Sequence, residues 1–209
     1  ADYGYMNWGG PGRWNDLGPA CADVWPYMEY GIIELTNESS CVQPSSDMVS
    51  WWQAEGNAND SAGTNNGTIL GGVSFSPGMV GLAFDVNNAR INVPDSESLE
   101  ITQALTIEGW LNIRQYPYSM HGQILFRGDN RSGYDPYYLA VQPYGSLRFV
   151  SNIAIETAPA PLGQFIHVAA TFDGSTGTSR IYVNGQVAAE NVTNPGLLIR
   201  DLDPALEAM

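Results

Sequence analysis

The sequence contains no lysine: its 8 basic residues are all arginines, against 22 acidic residues, and the formal net charge is −14. An acidic surface of this kind repels phosphate backbones and anionic lipid headgroups. We therefore expect no nucleic-acid partner. The same charge suits solubility outside the cell and the capture of divalent cations.

Cysteine and histidine are also scarce. The sequence has two cysteines, Cys21 and Cys41, and two histidines, His121 and His167, which lie far apart. A zinc site would need more sulfur or imidazole ligands close together in the chain. Whether Cys21 and Cys41 form a disulfide or stay as two thiols is left open by the sequence.

Long apolar runs are missing too, so we expect no membrane insertion. The opening residues ADYG lack the basic and apolar regions of a signal peptide. We expect the chain to begin inside a longer polypeptide with further domains on both sides. The expected location is secreted or cell-surface.

Alternating strand patterns are abundant, and the clearest is residues 165–189, FIHVAATFDGSTGTSRIYVNGQVAA. Val168, Ala170 and Phe172 share one face of a first strand, and Ile181 and Val183 share a face of a second. A polar turn at 173–178 joins them, and the following Asn-Gly pair is the strongest short hairpin signal. The stretch predicts a three-stranded antiparallel meander, which needs a second sheet to cover its apolar face.

Further strands are predicted upstream, with no helical stretch between them, at residues 48–52, 69–70, 73–75, 82–84, 89–93, 105–113, 123–127, 137–141 and 147–153. Residues 1–37 are dense in aromatics, glycine and proline, but hold too little apolar sequence to close a core alone. Residues 38–47, ESSCVQPSSD, read as a linker. A second domain is predicted over residues 48–209.

Two motifs stand in the N-terminal segment, GRWND at 12–16 and GIIE at 31–34. Together they resemble the C-terminal end of C-type lectin-like domains, where a Trp-Asn-Asp motif precedes a final strand ending in Glu. The resemblance implies that Asn15 and Asp16 are Ca²⁺ ligands, since hard oxygen donors suit this ion. The alternative is that both residues serve turn geometry.

Four motifs in the second segment belong together: VSWWQAEGNANDSAGTNNGT (49–68), PGMVGLAFDV (77–86), LTIEGWLNI (105–113) and FIHVAATFDGSTGTSRIYVNGQV (165–187). They resemble laminin G-like, concanavalin A-like jelly-roll domains. The resemblance implies an all-β fold, an antiparallel jelly-roll β-sandwich. The family's usual closing strand does not occur before Met209. We therefore expect a domain truncated at its C-terminus and poorly stable unless its open edge is covered.

The loop at 55–68 is crowded with carboxylate and carbonyl oxygens. Asp60, Asn65 and the carbonyls around Gly67 are candidate ligands of one Ca²⁺. The family resemblance implies the same, because calcium often sits near this loop in its members. The alternative is a surface loop whose Asn and Asp residues set turns.

Sugar binding needs flat aromatic faces together with polar groups for the hydroxyls. Residues in predicted turns offer both, and the candidates are Tyr116, Tyr118, Asp129, Arg131, Tyr134 and Asp135, with Tyr137 and Tyr138 as further tyrosines nearby. The alternative is that about half of these aromatics pack over the rim of the sandwich.

Catalysis finds little support in the sequence. Glycoside hydrolysis needs two carboxylates facing one groove, but Glu97 and Glu100 fall in a connector and Glu108 is alone in its strand. His167 lies in a strand pattern that indicates a structural role. The sequence predicts that the protein is not an enzyme.

The first hypothesis is thus a non-catalytic carbohydrate-recognition or adhesion module of a secreted or surface multidomain protein. Its ligand would be a carbohydrate or glycoprotein, with Ca²⁺ as a structural aid. The alternative is a protein–protein interaction or spacer module without a sugar site. A jelly-roll glycoside hydrolase is disfavoured by the missing carboxylate pair.

Overall fold

The computed structural model describes residues 46–128 and 135–200, together with the backbone of two short strands, β1 (Met6–Asn7) and β2 (Trp14–Asn15), which pair antiparallel. Cys21, Cys41 and most of the predicted linker lie outside the described residues. The chain divides into two compact units, one ending at Ser96 and the other beginning at Glu97. Within the described residues, no helix has the length and hydrophobicity required to cross a bilayer.

Besides β1 and β2, the described part of the first unit contains two antiparallel strand pairs. Strand β3 (Thr68–Leu70) pairs with β6 (Arg90–Asn92), and β4 (Ser74–Pro77) pairs with β5 (Leu82–Asp85). The four strands predicted between residues 69 and 93 are therefore confirmed, with bounds shifted by a residue or two.

The prediction of a strand at residues 48–52 is wrong. Among the described residues this segment forms a single β-bridge, between Trp52 and Asp60. Its backbone bonds instead to the loop that follows: Trp51 N donates to Asp60 Oδ1 at 2.8 Å, and Ser61 N donates to Trp51 O at 2.8 Å. These bonds take the place of a strand ladder.

The second unit opens with a single 3-10 turn, Glu97–Leu99, followed by eight strands. They are β7 (Ala104–Asn112), β8 (Gly122–Arg127), β9 (Tyr137–Val141), β10 (Ser146–Val150), β11 (Ala154–Pro159), β12 (Phe165–Asp173), β13 (Thr178–Val183) and β14 (Gln186–Val192). They form two four-stranded antiparallel sheets. The first sheet has the order β11-β10-β9-β8 and the second sheet has the order β14-β13-β12-β7.

Strand β12 lies between β7 and β13, and its residues alternate strictly between half-buried and buried. Val168, Ala170 and Phe172 point into the core, as the alternation predicts. At the end of β13, Asn184 and Gly185 have φ angles of 50° and 76°, which match the two-residue hairpin that this pair favours. The predicted meander is confirmed.

The core lies between the inner faces of the two sheets. The largest fully buried side chains include Leu139, Leu147 and Phe149 from the first sheet and Ile181 from the second. Beyond β14 the chain returns to this core, where Ile199 is buried and its N–H donates to Thr102 O at 2.8 Å. Two antiparallel sheets sharing one apolar interior make a β-sandwich, so the predicted all-β class is confirmed.

Two strand boundaries in the first sheet were not predicted correctly. β10 ends at Val150 rather than at residue 153, and the residues after it form a turn into β11, which the sequence analysis missed. β11 lies at the edge of its sheet, and its only large apolar residue is Ile155. A single apolar position is too little for an alternating pattern to emerge.

Replacing a core residue of the meander should destabilise the sandwich. Ile181 is 0% exposed, so Ile181→Ala should lower the free energy of unfolding by about 2–5 kcal/mol through lost burial and a cavity. The control is Val192→Ala, because Val192 is 61% exposed and its truncation should cost within about 0.5 kcal/mol. Urea unfolding measures both, and equal effects would contradict the assigned orientation of β13.

Candidate functional site

An open groove lies where β8 begins and β9 ends, at one end of the first sheet. Its volume is about 480 Å³, and it is lined by Ser119, Met120, His121, Gln123, Gln142, Pro143 and Tyr144. The residues come from the β7–β8 connection, the first residues of β8 and the β9–β10 turn. We call it the tyrosine groove, after Tyr144.

The β9–β10 turn holds Tyr144 at its tip. Gly145 N donates to Gln142 O and Gln142 N donates to Ser146 O, both at 2.8 Å. Gly145 has a φ of 88°, a value that favours glycine. These features match a three-residue hairpin, in which a turn is followed by a left-handed glycine. The geometry projects the Tyr144 side chain away from the sheet.

Tyr116 fastens the β7–β8 connection to this hairpin. Its hydroxyl donates to Ala160 O at 2.6 Å, and Ala160 N donates to Gly145 O at 2.9 Å. A Cβ atom added to Gly145 would lie 2.4 Å from Tyr116 Cζ, so the ring occupies the space beside the glycine. The structure thus gives Tyr116, predicted as a ligand contact, the role of a packing and positioning residue.

Two lining side chains, Tyr144 and Met120, are largely exposed, as is Tyr118, which directly precedes the lining residue Ser119. Tyr118 is 98% exposed, Tyr144 85% and Met120 78%. Tyr118 was predicted as a sugar contact from its place in a turn, and the structure leaves its ring accessible. Tyr144 was missed, although the run Pro143-Tyr144-Gly145 between two strands is a turn signal that places a tyrosine at a hairpin tip.

Two lining residues, His121 and Gln142, join a chain of contacts across the first sheet. The His121 ring lies 6.2 Å from the ring of Tyr138, whose hydroxyl accepts a hydrogen bond from Arg148 Nε at 3.0 Å. Arg148 forms an ion pair with Glu156, which also accepts a hydrogen bond from Gln142 Nε2 at 3.4 Å. The lining residues His121 and Gln142 are therefore both backed by this network.

Of the other predicted sugar contacts, those that the structure describes do not line the groove. Asp129, Arg131 and Tyr134 lie outside the described residues. Asp135 lies beside Gly128, with Oδ1 2.5 Å from the position that a Cβ on this glycine would take. Tyr137 and Tyr138 are buried in β9, and Tyr137 donates a hydrogen bond from its hydroxyl to Leu99 O at 2.9 Å. Both lie in the strand predicted at 137–141, and neither offers an exposed ring to a sugar.

The predicted calcium loop is organised by Asp60. Oδ1 accepts hydrogen bonds from the backbone N–H groups of Trp51, Ala62 and Gly63 at 2.8–3.0 Å, and Oδ2 accepts one from Asn65 N at 3.0 Å. Burial raises the pKa of Asp60, but the four backbone donors outweigh it and hold the pKa below its usual value. The carboxylate is thus satisfied by protein donors.

Asn65 and Gly67 also have structural contacts. Asn65 Oδ1 accepts a hydrogen bond from the Ser96 hydroxyl at 2.6 Å, and its Nδ2 donates to Ser50 Oγ at 2.8 Å. Gly67 is packed closely, since a Cβ there would lie 2.5 Å from Ile91 Cγ2. Such contacts fit a loop that is closed on itself.

The donor set around Asp60 therefore does not, as it stands, supply the six to eight oxygens that Ca²⁺ takes. Among residues 46–128 and 135–200, no group of three or more His, Cys, Asp or Glu side chains is placed to hold a metal ion. Asn15 lies in β2, whose side chains are not described, and Asp16 lies outside the described residues. Calcium at either place stays a prediction.

Removing the Asp60 carboxylate should destabilise the loop in a pH-dependent way. Because the folded-state pKa is lowered, the stabilisation is complete above the unfolded-state pKa of about 3.9 and is lost as the pH falls through the folded value. Asp60→Asn should cost roughly 1–3 kcal/mol at pH 7, since one acceptor oxygen becomes a donor. Unfolding curves of both proteins from pH 2 to 7 should converge in acid, and a constant difference would contradict the role of the charge.

Calcium binding is checked directly by calorimetry. If Asp60 is a ligand of Ca²⁺, titration of Ca²⁺ into EGTA-treated protein should release heat and raise the melting temperature. Asp60→Asn should abolish both effects, whereas Asp85→Asn, in β5, should leave both unchanged. Absence of heat in the wild-type protein would end the calcium hypothesis for this loop.

The two antiparallel sheets form a β-sandwich, and comparison with known proteins identifies its family. Residues 85–206 match the Laminin_G_3 model, described as the concanavalin A-like lectin/glucanases superfamily. The chain belongs to this superfamily. The resemblance is thereby confirmed for the matched residues, which contain the motifs at 105–113 and 165–187.

One solved structure supports the fold. Domain 4 of AbnA, a GH43 extracellular arabinanase from Geobacillus stearothermophilus solved in complex with arabinotriose, matches 71% of this chain and 75% of its own, with 21% identity and a TM-score of 0.53. A putative carbohydrate binding protein from Bacteroides ovatus matches 63% of this chain and 32% of its own, with 17% identity and a TM-score of 0.38. No curated protein matches the chain.

Proposed function

We propose that this chain is a non-catalytic carbohydrate-binding module that holds a neutral oligosaccharide in the tyrosine groove. One observation carries the proposal: the Tyr144 ring, 85% exposed, lines a groove whose other lining residues include Ser119, Gln123 and Gln142, and the 98% exposed Tyr118 directly precedes Ser119 in the chain. Sugar rings pack their C–H faces on aromatic rings, and their hydroxyls bond to amide groups. Gln123 and Gln142 are placed to supply these bonds.

The charge of the protein favours a neutral ligand. The described lining of the groove contains no carboxylate, arginine or lysine, so it offers no ion pair to a charged sugar. The net charge of −14 repels polyanionic glycans such as chains of uronic acids. The groove is also open rather than closed, which suits a segment within a polysaccharide chain.

The family and one structural relative support this class of function. The superfamily description names both lectins and glucanases, so it is compatible with binding and with hydrolysis. The AbnA domain, which shares the fold, was solved with arabinotriose, and this makes arabino-oligosaccharides a reasonable first probe. The specificity of this chain has to come from its own groove residues.

The proposal of a non-catalytic module rests on the carboxylates. Hydrolysis requires two of them, about 5–5.5 Å apart for retention or about 6.5–9.5 Å apart for inversion. Glu97 lies in the 3-10 turn and Glu108 in β7, neither of them in the groove. The C-type lectin-like segment, the further domains, the extracellular location and a protein ligand stay predictions, to be checked on the full-length reading frame.

The proposed site is tested by changing the two exposed rings. Tyr118→Ala and Tyr144→Ala should each weaken binding of a neutral oligosaccharide about tenfold, because each removes one stacking face. Tyr118→Phe and Tyr144→Phe keep the ring and should bind within about threefold of wild type. The measurement is calorimetric titration with arabinotriose, xylotriose and cellotriose, with trigalacturonate as the charged control.

Two results would contradict the proposal. A folded protein that binds none of these sugars, nor any glycan on an array, would favour the protein-interaction alternative. Release of shorter sugars from arabinan or β-glucan during incubation would show that the module is an enzyme.

A further inference from the structure

The outer face of the second sheet differs from that of the first. Because side chains alternate along a strand, the residues next to the buried core positions point outward. On β7, β12 and β13 these are Thr106, Glu108, Trp110, His167, Ala169, Thr171, Arg180 and Tyr182, and none of them is buried. On the first sheet, by contrast, outward-facing Tyr138 and Ala140 are buried.

Ala169 forms the centre of this face. It pairs with Glu108 of β7 on one side and with Tyr182 of β13 on the other. Neighbouring strands lie about 4.8 Å apart, so the Cα atoms of Glu108 and Tyr182 are separated by roughly 10 Å across the Ala169 methyl group. Along β12, His167 and Thr171 each stand about 7 Å from Ala169. A small residue ringed by four larger ones leaves a depression, which we call the Ala169 depression.

Aromatic rings stand on two sides of the depression. Tyr182 borders Ala169 directly, and Trp110 pairs with His167 one row further along. The rings of Trp110 and His167 meet edge to face, with centroids 5.2 Å apart and an interplanar angle of 71°. This contact fixes both rings at the end of the depression.

A carboxylate without a partner completes the wall. Glu108 is exposed, and its carboxylate makes no hydrogen bond or ion pair within the described part of the chain. Arg180, on the same face, is neutralised by its ion pair with Glu190. The Glu108 carboxylate can therefore accept hydrogen bonds from hydroxyl groups, and it repels anionic ligands.

We propose that the Ala169 depression is a second saccharide-binding surface, separate from the tyrosine groove. One neutral sugar ring lies over the Ala169 methyl group against Tyr182, and two of its hydroxyls donate to the Glu108 carboxylate. This inference takes only its class of ligand, a neutral saccharide, from the proposed function. The groove belongs to the first sheet and the depression to the outer face of the second, so one module contacts polysaccharide at two places and gains avidity.

The test fills the depression without removing any aromatic or charged group. Ala169→Ile adds a side chain that suits an outward strand position, and Ala154→Ile makes the same change at an exposed position of β11. Amide chemical shifts are followed while arabinotriose and cellotriose are titrated into the 209-residue chain. Tyr182→Ala provides a second variant if Ala169→Ile fails to fold.

We expect the amides of Glu108, Ala169 and Tyr182 to shift and saturate in the wild-type protein, in Ala154→Ile and in the double variant Tyr118→Ala/Tyr144→Ala. In Ala169→Ile or Tyr182→Ala, saturation should need about tenfold more sugar, since a contact face is blocked or lost. Equal saturation in a folded Ala169→Ile protein would overturn the proposal.

The pattern of shifts separates the two sites. Shifts confined to the amides around the tyrosine groove would overturn the second surface and leave the proposed function standing. Shifts confined to the amides around the Ala169 depression would support the second surface and count against the tyrosine groove as a binding site. A folded protein whose spectrum does not respond to either sugar would overturn both.

Discussion

The alternation of β12 is the constraint on which the rest of the second unit depends. Its inward residues fill the core between the sheets, while its two edges bond to β7 and β13. Register in such a strand is fixed, because a slip of one residue would expose Val168 and Phe172 and bury His167 and Thr171. The same register places Ala169 between Glu108 and Tyr182. Core and outer surface are thus set by one pattern.

Local signals made the meander predictable. The turn Asn184-Gly185 and the alternation on either side of it are contained in neighbouring residues, and the structure follows both. The segment at 48–52 shows the limit of this reasoning. Its two tryptophans indicate a strand, but the Asp60 carboxylate takes the Trp51 N–H that a strand would give to a ladder. An alternating pattern of period 2 carries no information about a carboxylate nine positions away in the sequence.

The candidate site was predictable in part. A tyrosine in a turn, such as Tyr118, is recognisable from its Pro neighbour and is exposed in the structure. The role of Tyr116 was not recognisable, because it depends on contacts with Gly145 and Ala160, both distant in sequence. Asp60 illustrates a third case: an oxygen-rich loop looks the same in sequence whether its carboxylate faces a cation or four peptide N–H groups.

The contact between Tyr116 and Gly145 has a consequence for how specificity can diversify in this domain. The ring fills the space where any side chain at 145 would lie, so the two positions must change together or not at all. Tyr144, directly beside them, projects from the hairpin and is free to vary independently. Homologues with different sugar preferences should therefore differ at positions 118 and 144 while keeping Tyr116 and Gly145. A library built for altered sugar recognition should randomise 118 and 144 and leave 116 and 145 unchanged.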